Sequence, residues 1–462
     1  MLNNCYISSL TVLASIFFLT NNTILLAQNK HKTSHVVLVS IDGFRHDFYT
    51  DEKWPMPTVQ KMAKTGVKAH MVKPVFPSVT LPAHTTMITG VSPLEHGIYY
   101  NNKYSIQGKK DRYTSASDIQ VPTLWDITKK ANFSCAAILW PVSAGAPIDF
   151  CIPYTYNYEG DHAYWNWEKM RELAIPNGYI EELEEFASGK QLTSKIFIHD
   201  LTTIDNTGAI AAYTLEKYKP NLLMVHFIAT DEIQHIEGRN GPTVAKAVAA
   251  TDRAIERIKE AAHRANILEE TTFIITGDHG FVDVNTVLCP NVWLAKSGII
   301  NESNPERNKA IFHVAGASAF LHLADSSDKI TLREVEKLLK NLPDYQKKLF
   351  QVLNREELNQ AGADPAARLA LNPIPGIYIE DDLQGRSVKS SSFYWGMHGY
   401  IPDFPEIHTG FIGWGAGFRE GVTIPVMGLE DITPMIVRLL DLSPGEIDRT
   451  VYPGIFYDTD AP

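Results

Sequence analysis

Leu222-Leu-Met-Val-His-Phe-Ile-Ala229 contains no Asp, Glu, Lys or Arg, and it runs straight into Thr230-Asp231-Glu-Ile-Gln-His235. An apolar run of this length reads as a central strand covered on both faces. The same pattern recurs on either side of it. Downstream, Pro242 starts a long helix with Val244, Val248, Thr251, Ile255, Ile258 and Ala262 along one face. Thr272-Phe-Ile-Ile-Thr276 is the next strand, ending in Gly277-Asp278-His279-Gly280. Upstream, Cys135-Ala-Ala-Ile-Leu-Trp140 is a strand preceded by a helix from Thr123 to Ala131. Ser34-His-Val-Val-Leu-Val-Ser-Ile41 is another, ending in Asp42-Gly43 and followed by a helix from Thr58 to Ala69 behind Pro57. Strands alternating with helices predict an α/β fold with a mostly parallel central sheet and helices on both faces.

The remaining segments decorate this frame. Residues 151–205 are rich in Tyr and Trp and poorly periodic, and read as an elaboration over the sheet edge. Residues 286–390 read as a small subdomain, with Thr331-Leu-Arg-Glu334 as a capping box ahead of a helix. Thr409-Gly-Phe-Ile-Gly-Trp414 predicts a strand, and Pro434 opens a final helix. The chain shows no internal repeat and no low-complexity tract.

Of the 462 residues, 44% are hydrophobic, enough for a substantial core, and the net charge is −11 with no basic run. That balance argues against binding a nucleic-acid duplex by charge. Ile7 to Leu19 is mostly apolar, so residues 1–27 read as a secretory signal cleaved near Ala27, placing the mature protein in the periplasm or outside the cell. Asn21 and Asn22 interrupt that stretch, so no stable membrane span is expected; a retained N-terminal anchor is the alternative. Cleavage would remove Cys5 and leave Cys135, Cys151 and Cys289, of which Cys135 and Cys151 could pair. Nothing in the sequence sets an oligomeric state.

Lys73-Pro-Val-Phe-Pro-Ser-Val-Thr80-Leu-Pro-Ala-His84-Thr-Thr-Met-Ile-Thr-Gly90 is built to present a hydroxyl. Pro82 suits the first turn of a helix and Gly90 suits its end. Thr80 therefore sits at a helix N-terminus, where the helix dipole favours an anion, and its hydroxyl could attack a phosphoryl or sulfuryl group. The plain alternative is that Thr80 is only a helix cap.

Three strands end near carboxylates: Asp42, Asp231 and Asp278. Ligands of open parallel sheets bind beyond the carboxyl ends of the strands, and acidic groups gathered there need cations. Asp231 and His235 are four apart and can share one side of a helical turn. His279 adjoins Asp278, and His398 lies between Gly396 and Gly399. Mixed imidazole and carboxylate donors suit zinc, and six of them with a hydroxyl exceed what one zinc takes, so two ions are expected. The other histidines, including His46, His84, His226 and His408, are read as structural.

Ser40-Ile-Asp42-Gly-Phe-Arg, Phe76-Pro-Ser-Val-Thr80-Leu-Pro-Ala-His, Thr89-Gly-Val-Ser-Pro-Leu-Glu-His96-Gly-Ile, Trp140-Pro-Val-Ser, Thr230-Asp231-Glu-Ile-Gln-His235, Gly277-Asp278-His279-Gly and Gly396-Met-His398-Gly-Tyr resemble the nucleotide pyrophosphatase/phosphodiesterase branch of the alkaline phosphatase superfamily. The order and spacing match from about residue 35 to 440. The resemblance implies a three-layer sandwich with a small cap or insertion, and a single catalytic domain over residues 28–462. It implies that Asp42, Thr80, Asp278 and His279 surround one zinc and that Asp231, His235 and His398 hold the other. Thr80 would be the nucleophile of a phosphodiester or pyrophosphate hydrolase with a small-molecule substrate, and Asn101 would donate to a phosphoryl oxygen. Two positions depart from the pattern: Leu81 stands where the family often has an aromatic residue, and Ala83 where Asn is common. The first weakens nucleotide stacking at that place, for which Tyr154, Tyr156, Tyr158, Tyr164 and Trp165 are substitutes or else ordinary packing.

A phosphate monoesterase is the nearest rival, and it would need positive charge near the phosphate. The interval between Lys130 and Lys169 holds no Lys or Arg, which favours diesters. A sulfatase would need Cys or Ser in a Cys/Ser-x-Pro-x-Arg pattern, and Thr80-Leu-Pro-Ala-His84 lacks both ends. A non-catalytic metal-binding scaffold would be marked by a missing ligand, and each is present.

Overall fold

The computed structural model describes residues 32–443 and 451–457, apart from 110, 160, 161, 194 and 195. The expected signal segment, its expected cut near Ala27 and Cys5 lie outside these residues.

Strand β1 (His35–Ile41) leads through helix α1 (Pro57–Thr65) to the short β2 (Val67–Ala69). Helices α2 (Thr80–Thr89) and α3 (Leu124–Lys130) precede β3 (Cys135–Trp140) and β4 (Phe150–Pro153). Then come α4 (Thr202–Tyr218), β5 (Leu222–Phe227), α5 (Ala229–Glu237), α6 (Pro242–Arg264) and β6 (Thr271–Thr276). An inserted antiparallel sheet follows, with β7 (Ala310–Ala315), β8 (Ser318–Leu323), helix α7 (Lys329–Lys340), β9 (Phe350–Leu353) and β10 (Leu369–Pro373). The chain returns to the main sheet with β11 (Phe411–Gly415) and β12 (Val422–Ile424), and α8 (Ile432–Leu439) covers it.

The main sheet has eight strands in the order β12-β2-β11-β6-β1-β5-β3-β4. β1 pairs in parallel with β5 and β6, β3 with β5 and β4, and β2 with β12; β11 runs antiparallel to β6 and β2. Alternate residues of β1 feed opposite layers. Val37, Val39 and Ile41 pack with Val59, Val248 and Ile255 of α1 and α6, whereas Val36 and Leu38 join the core of Met87, Leu124 and Ile436 from α2, α3 and α8. Apolar runs with no polar alternation become strands here because both faces are covered.

Several boundaries differ from the sequence reading. α1 ends at Thr65 rather than Ala69. A Cβ at Gly66 would lie 2.3 Å from the Gly413 carbonyl, so the chain passes close to β11 there and continues as β2. The helix expected behind Thr331 starts at Lys329, because the Asp328 carboxylate accepts from the Ile330 and Thr331 amides. α8 starts at Ile432, with Pro434 in its first turn, where a missing N–H costs no helical bond. The segment 151–205 is not wholly outside the sheet: β4 forms its edge, and Trp165, Trp167 and Met170 are buried against the α4/α6 layer. Cys135, Cys151 and Cys289 are free thiols; the β3/β4 register sets Cys151 beside Ala137, not Cys135.

Candidate metal centre

β5, β1 and β6 are neighbours, so their carboxyl ends deliver Asp231, Asp42 and Asp278 to one place. Each carboxylate is nearly or completely buried. Close backbone approach makes this possible. A Cβ on Gly277 would fall 2.3 Å from Phe44 Cβ and 2.6 Å from the Ile41 carbonyl, so only glycine lets the end of β6 lie against the end of β1. Gly43, at φ +68°, turns the chain after Asp42 and donates its N–H to Asp278 Oδ1 at 3.1 Å.

The six sequence-predicted ligands come together as two groups, Asp42 with Asp278 and His279, and Asp231 with His235 and His398; within each, the ligand atoms lie within 4.8 Å of one another. His279 Nε2 is 3.1 Å from Asp278 Oδ2, 3.4 Å from Asp42 Oδ1 and 4.0 Å from Asp231 Oδ1, so the groups adjoin. His235 Nε2 lies 3.4 Å from Asp231 Oδ2, and His398 Nε2 lies 3.6 Å from Asp231 Oδ1.

All three imidazoles use the other nitrogen on a backbone carbonyl: His235 on Gly396 at 2.9 Å, His279 on Gly280 at 3.1 Å and His398 on Ser78 at 2.8 Å. A carbonyl only accepts, so each Nδ1 carries a proton and each Nε2 is the nitrogen left facing the site. The rings of His279 and His398 stack with centroids 3.6 Å apart. Asp42 Oδ1, Asp231 Oδ1, Asp278 Oδ2 and His279 Nε2 are buried without a hydrogen-bond partner. Unsatisfied buried acceptors are costly, and these four face one another. Burial, then the charges of Asp278 and Asp231, hold Asp42 well above the carboxylate range. Burial also raises Asp278, but the adjoining His279 and His84 outweigh it and leave its carboxyl low. Divalent cations would satisfy every one of these atoms, so the residues fit bound metal.

Thr80 is the first residue of α2, with Val79 at the cap position, so its side chain is not serving as the cap. Gly90 ends the helix at φ 74° as the sequence predicts. Thr80, Asp42, Asp231, His235, His398 and Asn101 line a cavity of about 180 Å³. Asn101 Oδ1 accepts from the Leu81 amide at 2.9 Å, which leaves its NH₂ as the donor.

Four further residues complete the setting: His84 and His226, read from the sequence as structural, brace it, whereas Arg112 and Glu232 were not singled out there. His84 Nδ1 donates to the Thr80 carbonyl (2.8 Å) while Nε2 accepts from Ser40 Oγ (2.8 Å), tying the first turn of α2 to β1. His226 Nε2 lies 3.1 Å from Asp42 Oδ2. His84 follows Thr80 at helical spacing, a signal that was available; His226 gave none, being a polar residue inside an apolar strand. Arg112, from the Asn102–Lys103/Asp111–Arg112 hairpin, lines the cavity with its guanidinium 4.5 Å from the Tyr156 ring centre and 5.4 Å from that of Tyr154. Glu232 lines it too, and burial, then the charge of Asp231, pushes its carboxyl up to about 7. Of the aromatic candidates, Tyr154 and Tyr156 reach the cavity, whereas Trp165 is core.

A third cluster, Cys289, Glu380 and Asp382, is answered differently. Lys389 Nζ lies 2.8 Å from Glu380 and 2.7 Å from Asp382, and burial pushes the Cys289 thiol up to about 12. The ammonium already pairs with both carboxylates and the thiol is held protonated, so they do not fit a metal.

The model of the "Type I phosphodiesterase / nucleotide pyrophosphatase" family matches residues 36–401, which include every ligand named above. The chain belongs to this family. It is 21% identical to venom phosphodiesterase 2 of Crotalus adamanteus over 90% of this chain and 46% of that protein. It is 23% identical to bis(5'-adenosyl)-triphosphatase enpp4 of Xenopus laevis, over 89% of this chain and 78% of that protein. The chain thus spans under half the length of the venom enzyme. Among solved structures, the inactive murine ectonucleotide pyrophosphatase/phosphodiesterase 5 in complex with AMP superposes with a TM-score of 0.62 at 21% identity, over 89% of this chain and 96% of that one. That likeness establishes the shared α/β fold.

Proposed function

We propose that this chain is a two-zinc hydrolase of small-molecule phosphodiester or pyrophosphate bonds that works through a phosphoryl-threonine intermediate. One observation carries the reading: four buried, unsatisfied ligand atoms converge, and two of the carboxylates that bear them, Asp42 and Asp231, share a cavity with Thr80 at a helix N-terminus. Asp42, Asp278, His279 and Thr80 would hold one ion, and Asp231, His235 and His398 the other. Bound there, zinc supplies Lewis acidity to the phosphoryl group and lowers the pKa of the Thr80 hydroxyl.

The protein's own residues do the rest. Thr80 gives up its hydroxyl proton to solvent, its Oγ1 attacks phosphorus in line, and the P–O bond to the leaving group breaks as the departing oxygen takes up a proton from water. The Asn101 amide donates to a non-bridging oxygen, a donor placed where charge develops. Water then cleaves the phosphoryl-threonine. His84 and Ser40 fix the turn that presents Thr80, and His226 steadies Asp42.

A nucleotide diester or pyrophosphate is the substrate class that the relatives' names suggest. Leu81 is buried and offers no stacking face, so Tyr154 and Tyr156 are the available aromatic wall. The monoester reading keeps one supporting observation. The interval between Lys130 and Lys169 lacks Lys and Arg, but Arg112 reaches the cavity from outside it. Its charge is partly engaged by the Tyr156 ring and by Glu232, which favours diesters still. Rates of the zinc-loaded enzyme on bis-p-nitrophenyl phosphate and p-nitrophenyl phosphate decide; a large monoester preference rejects this choice.

We place the mature protein in the periplasm or outside the cell, with residues 1–27 removed. No helix among the described residues is long and apolar enough to cross a membrane. N-terminal sequencing of the exported protein tests the cut.

A further inference from the structure

Between Asp231 and His235 on α5 lies Gln234, which is fully buried and points away from the cavity toward the end of β1. Its Nε2 donates to the Gly43 carbonyl at 3.0 Å, and its Oε1 accepts from Arg45 Nη1 at 3.1 Å. Arg45 is itself buried and anchored: Nε and Nη2 bond the Asp47 carboxylate at 2.9 and 2.6 Å, and Nη1 also reaches the Arg239 carbonyl. On its other side, Gly43 donates its N–H to Asp278 Oδ1, which also accepts from the His279 amide at 3.0 Å. Residue 43 is therefore clamped from both ends. One amide side chain connects the helix bearing one ligand group to the turn that carries Asp42 and aims Asp278.

We infer that Gln234 is a positioning residue that sets the two metal-ligand groups in register, so that the second ion to bind finds its donors already placed. A primary amide is required because the site asks for one donor, toward Gly43, and one acceptor, toward Arg45. A carboxylate would keep Arg45 but oppose the Gly43 carbonyl. A thioether of similar length would fill the space and satisfy neither. Outer partners of metal ligands typically govern affinity by about 10–100-fold.

This inference rests on the two-zinc reading, and its test separates the two. Zinc binding to the full mature chain is titrated against a chromophoric chelator for wild type, Gln234→Met and Gln234→Glu, with far-UV dichroism as the check on folding. Cobalt(II) absorption spectra of the same proteins report coordination geometry. Wild type should bind two zinc ions, while both variants hold one normally and lose about 10–100-fold in affinity for the other, with an altered cobalt spectrum. If the Met variant does not fold, the Glu variant, which retains the Arg45 contact, carries the test. Wild-type affinity and spectra in the folded variants overturn the inference alone. Failure of the wild type to bind zinc overturns the functional reading and this inference with it.

Discussion

Thr80 and Asn101 have separable jobs, and their substitutions should divide accordingly. Thr80→Ala should abolish turnover, by at least about 10³-fold, because no other hydroxyl is proposed to attack. It should leave zinc uptake largely in place, since six other donors remain; metal analysis beside the rate assay checks both halves. Asn101→Ala should lower kcat by about 10²-fold, as loss of one preorganised donor does elsewhere. It also releases the Leu81 amide, so the fold at the start of α2 needs checking by dichroism. Asn101 rested on the family resemblance alone, but the other seven residues of the candidate site were legible as polar side chains at a strand end, at a helix start, one helical turn on from another candidate ligand, or between glycines. His226 was not. Inside an apolar strand, a histidine looks like any buried polar residue until the fold brings Asp42 from 184 positions away. His226→Ala should cost about 10–100-fold in metal affinity, read by chelator competition.

Elements were easier to find than their ends. Strands β1, β3, β5 and β6 fall almost where the apolar runs do, because burial on both faces leaves no room for polar residues. The end of α1 and the start of α7 depend on Gly66 and Asp328, whose roles come from the backbone passing nearby and not from periodicity. The short helix Pro93–His96, which follows α2, offers a test of its own. His96, fully buried at its end, contacts Thr86 Oγ1 of α2 through Nε2 at 3.0 Å, and its Nδ1 accepts from the Ile98 amide at 3.1 Å. Burial pushes its pKa down to about 3, and the same holds for His322 on β8. Both stay neutral in the fold but take a proton near pH 6.5 when unfolded. Their stabilisation is complete above that pH and is lost as the pH falls from about 6.5 towards 3, each by about 1.4 kcal/mol per unit. Urea unfolding at pH 7 and pH 5 should show this loss, and His322→Gln should flatten the slope by about one proton.

At the scale of the molecule, a mostly parallel sheet with helices on both faces could be read from alternation alone, but strand order could not. β11 enters antiparallel, and β2 and β12 have three residues each, so little in their composition marks them as sheet members. Arg112 escaped for the same reason: it belongs to a two-residue strand of a hairpin far from the segment it meets. The thiols give a whole-chain prediction. Cys135, Cys151 and Cys289 are buried, and burial raises all three, Cys151 to about 12. In the mature native protein, none of these three should react with Ellman's reagent at pH 8, and all should react in guanidinium.

The imidazoles of His235, His279 and His398 are each steered by a main-chain oxygen, and this has a consequence for the ion-free protein. Ring orientation is settled during folding, so cation capture should require almost no rearrangement. Chelation should then yield a molecule with unchanged near-ultraviolet dichroism that nevertheless melts several degrees sooner, because mutually repelling acids are left face to face in a dry interior. Restoring zinc should recover the lost degrees, while magnesium, which prefers oxygen donors throughout, should restore far fewer.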